Sequence, residues 1–205
     1  ILARQTSILD QVMKEGKWEK VPGRSLNECV LGVIGIGNIG KAVIHRAYPF
    51  NLKLLGNENQ EIDPDFVDKY NLEVVDLETL LQKSDFISVN CDLNPTSYHL
   101  IDHRALKVMK PEAYLINTAR GPIVEEEALV SALKNEAIAG AALDVFEIEP
   151  LPSDSALRKF PNVLLAPHNA NSSPGAWEKV HWNTIKNLLD GLDIQYQINE
   201  RGEIS

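Results

Sequence analysis

Leu31-Gly-Val-Ile-Gly35-Ile-Gly37-Asn-Ile-Gly40 is the stretch that decides the fold of this 205-residue chain. The apolar run that begins at Val30 leads directly into the spacing Gly-x-Gly-x-x-Gly, and the residues after it continue with helical periodicity. In such a strand–turn–helix unit the first glycine permits the tight turn, the second lets the backbone approach a pyrophosphate, and the third lets the helix pack closely on the strand. The context therefore predicts a dinucleotide-binding βα unit. A purely structural βα turn is the alternative reading of the glycines.

A carboxylate after the second predicted strand indicates which dinucleotide is bound. Glu58 lies eighteen residues beyond Gly40, close to the distance at which an acidic residue holds the ribose hydroxyls of NAD. Its charge would repel the 2′-phosphate of NADP, and no lysine or arginine lies between Gly56 and Val67. The sequence therefore predicts NAD as the cofactor. The neighbouring polar residues 57–61 leave the position of the carboxylate open by about one residue.

Strand and helix patterns alternate along most of the chain. Strands are predicted at Val30–Ile34, Leu52–Leu55, Glu73–Val75, Phe86–Asn90, Tyr114–Asn117, Ala139–Leu143 and Val163–Leu165. Helices are predicted at about 2–16, 38–49, 64–70, 77–83, 102–109, 125–135, 153–159 and 175–192. Strands that are apolar throughout and alternate with helices are typical of a parallel sheet covered on both faces. The predicted fold is a Rossmann-type, doubly wound α/β sheet with helices on both faces.

Composition excludes several classes of protein. The net charge of −9 and the pI near 5.1 argue against nucleic acid or an anionic membrane as the main partner. No apolar run approaches the length of a membrane span. The two cysteines, Cys29 and Cys91, provide neither a disulfide framework nor a metal-binding spacing. We therefore expect a cytoplasmic protein with no metal site, no nucleic-acid partner and no membrane partner.

Three polar clusters each follow a predicted strand, where a doubly wound fold places its ligands. They lie at residues 117–122, 144–150 and 167–170, and together they contain an arginine, acidic residues and a histidine. A histidine can exchange a proton with a hydroxyl group, a carboxylate can orient the histidine, and an arginine can bind a substrate carboxylate through two hydrogen bonds. The combination predicts hydride transfer at a carbinol carbon, with NAD supplying the hydride chemistry.

These motifs together resemble one known family, the NAD-dependent D-isomer-specific 2-hydroxyacid dehydrogenases. The likeness rests on Gly35-x-Gly37-x-x-Gly40, Asn117-Thr-Ala-Arg120-Gly121, Asp144-Val-Phe-Glu-x-Glu149-Pro150 and Pro167-His168, in the family's order. It covers nearly the whole chain. The sequence departs from the common family pattern at Asn90 and Asp92, and in the residues after His168, which makes the substrate harder to assign.

The resemblance implies a role for each of three side chains. Arg120 would bind the carboxylate and carbonyl end of a small 2-hydroxy or 2-oxo acid, His168 would be the acid/base, and Glu149 would hold and tune His168. The cofactor-binding residues would be Gly35, Gly37, Asn38, Ile39, Gly40, Glu58, Thr118, Ala119, Arg120, Asp144 and His168. Among these, Asp144 would contact the nicotinamide carboxamide.

The resemblance also implies a domain organisation and a partner. Residues 1–172 would form the NAD-binding Rossmann domain, and residues 173–205 would be a crossing helix and C-terminal tail. The latter would be the remnant of a split substrate domain, whose N-terminal part is absent from this sequence. The chain would then be the NAD-binding portion of a longer enzyme that forms a homodimer, and it would be nearly inactive alone.

Two classes of function remain open from the sequence. The first is an oxidoreductase that acts on a D-2-hydroxyacid, with the 3-phosphoglycerate or glycerate/hydroxypyruvate type favoured over D-lactate. The second is a non-enzymatic, NAD-sensing regulatory protein of the co-repressor type, because such proteins also retain the arginine, glutamate and histidine. His45, His99, His103 and His181 have no comparable setting, and we expect them to lie on the surface or to serve packing.

Overall fold

The computed structural model describes residues 1–197. Its centre is a parallel sheet of seven strands in the order β3-β2-β1-β4-β5-β6-β7. The order reverses at β1, which pairs with β2 on one side and with β4 on the other. This is the strand order of a doubly wound, Rossmann-type sheet, whose ligands bind at the carboxyl ends of the strands near the reversal. The predicted fold class is therefore confirmed.

The strands are β1 Val30–Ile34, β2 Lys53–Asn57, β3 Glu73–Val74, β4 Phe86–Val89, β5 Tyr114–Asn117, β6 Gly140–Leu143 and β7 Val163–Leu165. The α-helices are α1 Thr6–Lys14, α2 Asn38–Ala47, α3 Pro64–Tyr70, α4 Leu77–Lys83, α5 His103–Val108, α6 Glu126–Lys134 and α7 Pro174–Gly191. Single 3₁₀ turns lie at Leu2–Arg4, Leu26–Glu28, Tyr48–Phe50, Gly121–Ile123 and Ala156–Lys159.

Apolar side chains on the two faces of the sheet form two separate clusters. Leu31 and Val33 of β1 join the cluster that contains Ile44 of α2 and Tyr70 of α3. Ile34, which points to the opposite face, joins the cluster that includes side chains of α4, α5 and α6. Because successive residues of a strand point to opposite faces, one apolar strand can fill both layers. Helices on both faces, as predicted, enclose the sheet.

Two predicted helices differ from those observed. The stretch predicted at 153–159 forms only the 3₁₀ turn Ala156–Lys159, because the segment is short and Pro152 and the Ser155 cap, which accepts the Leu157 N–H, favour a turn. The helix predicted from residue 2 divides into the 3₁₀ turn Leu2–Arg4 and α1. Gln5, in the left-handed conformation, separates them.

The chain divides into two compact units, Ile1–Pro167 and His168–Ser205. The first contains the whole sheet. The second contains α7, which has the Ser173 hydroxyl as its N-cap and no buried residue, and whose Trp177 is exposed. The predicted tail runs into residues 198–205, which lie outside the described residues. The interpretation of residues 173–205 as part of a split substrate domain stays a prediction.

Candidate active site

The glycine-rich loop after β1 has the geometry that the sequence predicts. Gly35 adopts φ +84°, and a Cβ there would lie 2.5 Å from the backbone nitrogen of Cys91. A Cβ on Gly40 would lie 2.0 Å from the carbonyl oxygen of Gly35. A Cβ on Gly37 would meet no atom within 4 Å. The first and third glycines are therefore required by close packing, whereas the second borders open space that a ligand could enter.

The N-terminus of α2 provides the electrostatic part of a phosphate site. Gly37 is its N-cap, and no side chain caps the first turn, which begins at Asn38 and Ile39. Ile39 is 62% exposed although it is apolar. Uncapped backbone N–H groups and the helix dipole both favour an anion at this point. Together with the open space at Gly37, these residues fit the pyrophosphate of a dinucleotide.

Glu58 lies directly after β2 and contacts the glycine-rich loop. Its Oε2 accepts a hydrogen bond from the backbone N–H of Ile36 at 2.7 Å. Its Oε1 accepts from the N–H groups of Asn59 and Gln60 at 2.8 and 3.2 Å. These three donors hold the carboxylate beside the loop, where the ribose adjoining a bound pyrophosphate would lie.

The turn after β5 is held by a side chain that has no role in the chemistry predicted from the motifs. Asn117 is 1% exposed; its Oδ1 accepts the Ala119 N–H, and its Nδ2 donates to the Arg120 carbonyl, both at 3.0 Å. The turn leaves the side chains of Thr118 and Arg120 exposed. A buried amide that hydrogen-bonds to the backbone two and three residues ahead of it is a recognisable signal for a fixed turn.

The loop after β6 carries Asp144 and Glu149 and packs against the β5 turn. Asp144 is buried, and its backbone N–H donates to the Asn117 carbonyl at 3.0 Å. Glu149 Oε1 accepts the Phe146 N–H at 3.0 Å. A Cβ on Gly121 would lie 1.9 Å from the Phe146 carbonyl oxygen, so only glycine permits this approach. The structure thus brings the Arg120 turn and the Asp144–Glu149 loop together.

His168 begins the second compact unit. The residue is exposed, and its backbone lies in the left-handed region at φ 53°. All other candidate site residues belong to the first unit. Because all seven strands are parallel, the loops after β1, β2, β5 and β6 all leave the same edge of the sheet.

The part of the chain from residue 1 to residue 197 contains no cluster of histidine, cysteine and acidic side chains that could hold a metal ion. Within the same residues, no helix is long and apolar enough to cross a membrane.

Comparison with known proteins identifies the family. The family model described as D-isomer specific 2-hydroxyacid dehydrogenase, NAD binding domain, matches residues 1–170. The chain belongs to this family. It therefore contains the NAD-binding domain of a D-isomer-specific 2-hydroxyacid dehydrogenase, and the predictions of the family and of NAD as cofactor are confirmed.

Relatives and solved structures agree with that assignment. A glyoxylate reductase of Thermofilum pendens is 44% identical over 187 residues, which are 88% of this chain and 55% of that protein. A D-lactate dehydrogenase of Aquifex aeolicus, solved with NAD and lactic acid, superposes with a TM-score of 0.86 at 27% identity, over 94% of this chain and 62% of that one. A family member of Xanthobacter autotrophicus, solved with NADPH, gives a TM-score of 0.74 at 32% identity, over 81% of this chain and 52% of that one. The chain spans a little over half the length of the curated relatives it matches.

Proposed function

We propose that the protein to which this chain belongs is an NAD-dependent oxidoreductase that interconverts a small 2-oxo acid and the corresponding D-2-hydroxyacid. The observation that carries the proposal is the arrangement at one edge of the sheet. There the uncapped α2 N-terminus and Glu58 provide a dinucleotide site, and the neighbouring strands present Arg120, Asp144 and Glu149. The comparisons offer no support for the NAD-sensing regulatory alternative.

Cofactor choice follows from Glu58. Its carboxylate is held beside the glycine-rich loop and would accept hydrogen bonds from the ribose hydroxyls, whereas a 2′-phosphate at the same place would be repelled. We therefore propose a preference for NADH over NADPH, even though one similar structure was solved with NADPH. Gly35, Gly37, Asn38, Ile39 and Gly40 would surround the pyrophosphate. Thr118, Ala119, Asp144 and His168 would contact the nicotinamide half.

The proposed chemistry assigns one task to each of three side chains. Arg120 binds the substrate carboxylate, for which its exposed guanidinium provides parallel donors. His168 gives a proton to the substrate oxygen during reduction and removes it during oxidation. Glu149 orients the imidazole and stabilises its charged form. Bound NAD supplies the hydride acceptor or donor.

Among small 2-oxo acids we favour two- and three-carbon substrates of the glyoxylate and hydroxypyruvate type, with phosphohydroxypyruvate also in the group and pyruvate less favoured. The support is that relatives named glyoxylate reductase are 44% and 39% identical to this chain.

The remaining proposals concern the whole protein. We propose residues 1–172 as its NAD-binding domain and residues 173–205 as the crossing helix and tail of a split substrate domain. We also propose a homodimer and a cytoplasmic location. The two free thiols support the latter, because structural disulfides are rare in the reducing cytosol. Sedimentation and cell fractionation would test these two proposals.

The test of the function is NADH oxidation by the full-length protein with glyoxylate, hydroxypyruvate, phosphohydroxypyruvate and pyruvate. His168→Ala is the test variant, and His103→Ala, an exposed histidine at the start of α5, is the matched control. We expect turnover that His168→Ala lowers by at least about a hundredfold and that the control leaves unchanged. NADH binding without turnover on any acid would instead favour an NAD sensor.

A further inference from the structure

A histidine and a glutamate that the family motifs leave without a role form a close pair beside the candidate site. His99 Nε2 and Glu147 Oε1 lie 2.6 Å apart, and each side chain is 30% exposed. From the sequence alone we expect His99 to lie on the surface or to serve packing. The two residues are 48 positions apart in the chain, so their contact joins two separate loops.

The loop that carries His99 is fixed independently of the pair. The backbone N–H of His99 donates to the Pro122 carbonyl at 2.9 Å, and His99 adopts φ 50°. The ring of Tyr98 stacks on the imidazole with centroids 4.1 Å apart. Pro122 directly follows Gly121, the residue that packs against the loop after β6. The imidazole is thus held in one position next to that loop.

Glu147 lies in the middle of the loop that carries Asp144 and Glu149. Its neighbour Phe146 donates its N–H to the Glu149 carboxylate at 3.0 Å. A shift of the backbone at residues 146 and 147 would therefore move the Glu149 carboxylate. The contact with His99 therefore restrains the same segment that positions Glu149.

Glu126 is a second carboxylate near Glu147, and its charge gives the contact between Glu147 and His99 a larger role in holding the loop. Burial raises the pKa of Glu126, the first residue of α6, and the nearby charge of Glu147 raises it further. A hydrogen bond from the Glu147 backbone N–H acts in the opposite direction but is outweighed. The Glu147 carboxylate therefore lies close enough to a second acidic side chain to be repelled by it, in addition to contacting His99. Without His99, repulsion between the two carboxylates would favour movement of Glu147 and its loop.

We propose that His99 and Glu147 are positioning residues whose hydrogen bond holds the loop after β6 so that Asp144 and Glu149 are placed for the nicotinamide and for acid–base chemistry. The inference rests on the proposed function. A surface pair of this exposure adds little to stability. A small displacement of a catalytic group, by contrast, can lower the rate by about a hundredfold.

The experiment compares His99→Ala, His99→Gln and Glu147→Ala in the full-length protein, with His103→Ala as the control. We expect His99→Ala to lower kcat about tenfold with little change in the KM for the 2-oxo acid, because the loop orients catalytic groups and Arg120 still binds the acid. The amide of Gln can replace the Nε2 donor, so His99→Gln should recover most of the loss. Because both substitutions remove the same contact, kcat of the double variant His99→Ala/Glu147→Ala should be no lower than that of the slower single variant.

Amide hydrogen exchange measures the loop directly. In His99→Ala we expect the amides of residues 145–149 to exchange several-fold faster and those of β6 to keep their protection. Unchanged exchange, unchanged kcat, or a loss in His99→Ala that His99→Gln does not recover would overturn the inference. If the unaltered protein binds NADH but turns over no acid, the proposed function fails instead. The inference is then decided by the same exchange measurement and by NADH affinity, which we expect His99→Ala to weaken and His99→Gln to retain.

Discussion

Replacement of Glu58 by glutamine should change which cofactor the chain prefers. The substitution keeps the size of the side chain and one carbonyl oxygen, but it removes the charge and one acceptor. In the structure both carboxylate oxygens are in use: Oε2 accepts from Ile36, and Oε1 accepts from Asn59 and Gln60. A glutamine can keep only one of these two sets of donors, so some loosening of the loop is expected with either cofactor.

The expected magnitude follows from hydrogen bonding and charge. A hydrogen bond from a ribose hydroxyl to a charged acceptor contributes about 1.5–3 kcal/mol, so NADH should bind roughly 10- to 150-fold more weakly. For NADPH, repulsion between the carboxylate and the 2′-phosphate reaches about 4 kcal/mol at close contact with an effective dielectric constant of 20. Salt and solvent reduce it at this half-buried position to about 1–2 kcal/mol. The ratio of NADH to NADPH affinity should therefore fall by at least about fiftyfold.

The assay is fluorescence titration of the 205-residue chain with NADH and with NADPH at fixed ionic strength. Glu61→Gln is the matched control, because it removes the same charge from an exposed residue three positions away. General loosening of the loop would weaken both cofactors in parallel, so only the ratio tests the argument. An unchanged ratio in Glu58→Gln, or an equal change in Glu61→Gln, would refute the assignment of Glu58 to the ribose.

Three further predictions concern the glycines and the buried charges. The Cβ added by Gly40→Ala would overlap the Gly35 carbonyl, so this variant should lose about 1–3 kcal/mol of unfolding free energy and should not bind NADH in titration. Gly37→Ala should weaken NADH binding with an unchanged melting temperature, because its Cβ would meet no protein atom. Burial acts to raise the pKa of the Asp85 carboxyl, but the Val30 N–H, Lys110 and Arg24 outweigh it and hold the pKa below 3.8. Asp85→Asn should therefore lower the unfolding free energy at pH 7 by about 1.5–3 kcal/mol, the contribution of hydrogen bonds to a charged group. Denaturant titrations should show this difference shrinking as the pH falls below about 3.8, and an undiminished difference in acid would contradict the charge argument. Burial disfavours the ionised form of Glu126 and thereby raises its pKa. Glu126→Gln should therefore increase stability at pH 7 and make no difference below pH 4.5. Equal stabilisation at both pH values would contradict the burial argument.

Much of the sheet could be predicted because its signals are local. β1, β5 and β7 begin and end at the predicted residues, since each is an apolar run bounded by polar or turn-forming residues. β3 is shorter than predicted by one residue and has both residues exposed. An edge strand of this kind has little burial to define its ends.

The contacts that hold the candidate site could not be predicted in the same way. The bridge made by Asn117 depends on its burial. The His99–Glu147 pair depends on how the loops after β4 and β6 meet, although the two residues are 48 positions apart in the chain. Motif spacing identifies side chains that carry chemistry. It does not identify those that restrain them, because the restraints arise only when the strands are in register.

The most direct test of the account is NADH titration of the 205-residue chain, followed by turnover of the full-length protein with glyoxylate and hydroxypyruvate. We predict saturable binding of NADH to the chain, tighter than that of NADPH, and turnover by the full-length protein that His168→Ala abolishes. Failure of the chain to bind NADH would contradict the dinucleotide site, and full turnover in His168→Ala would contradict the proposed acid/base.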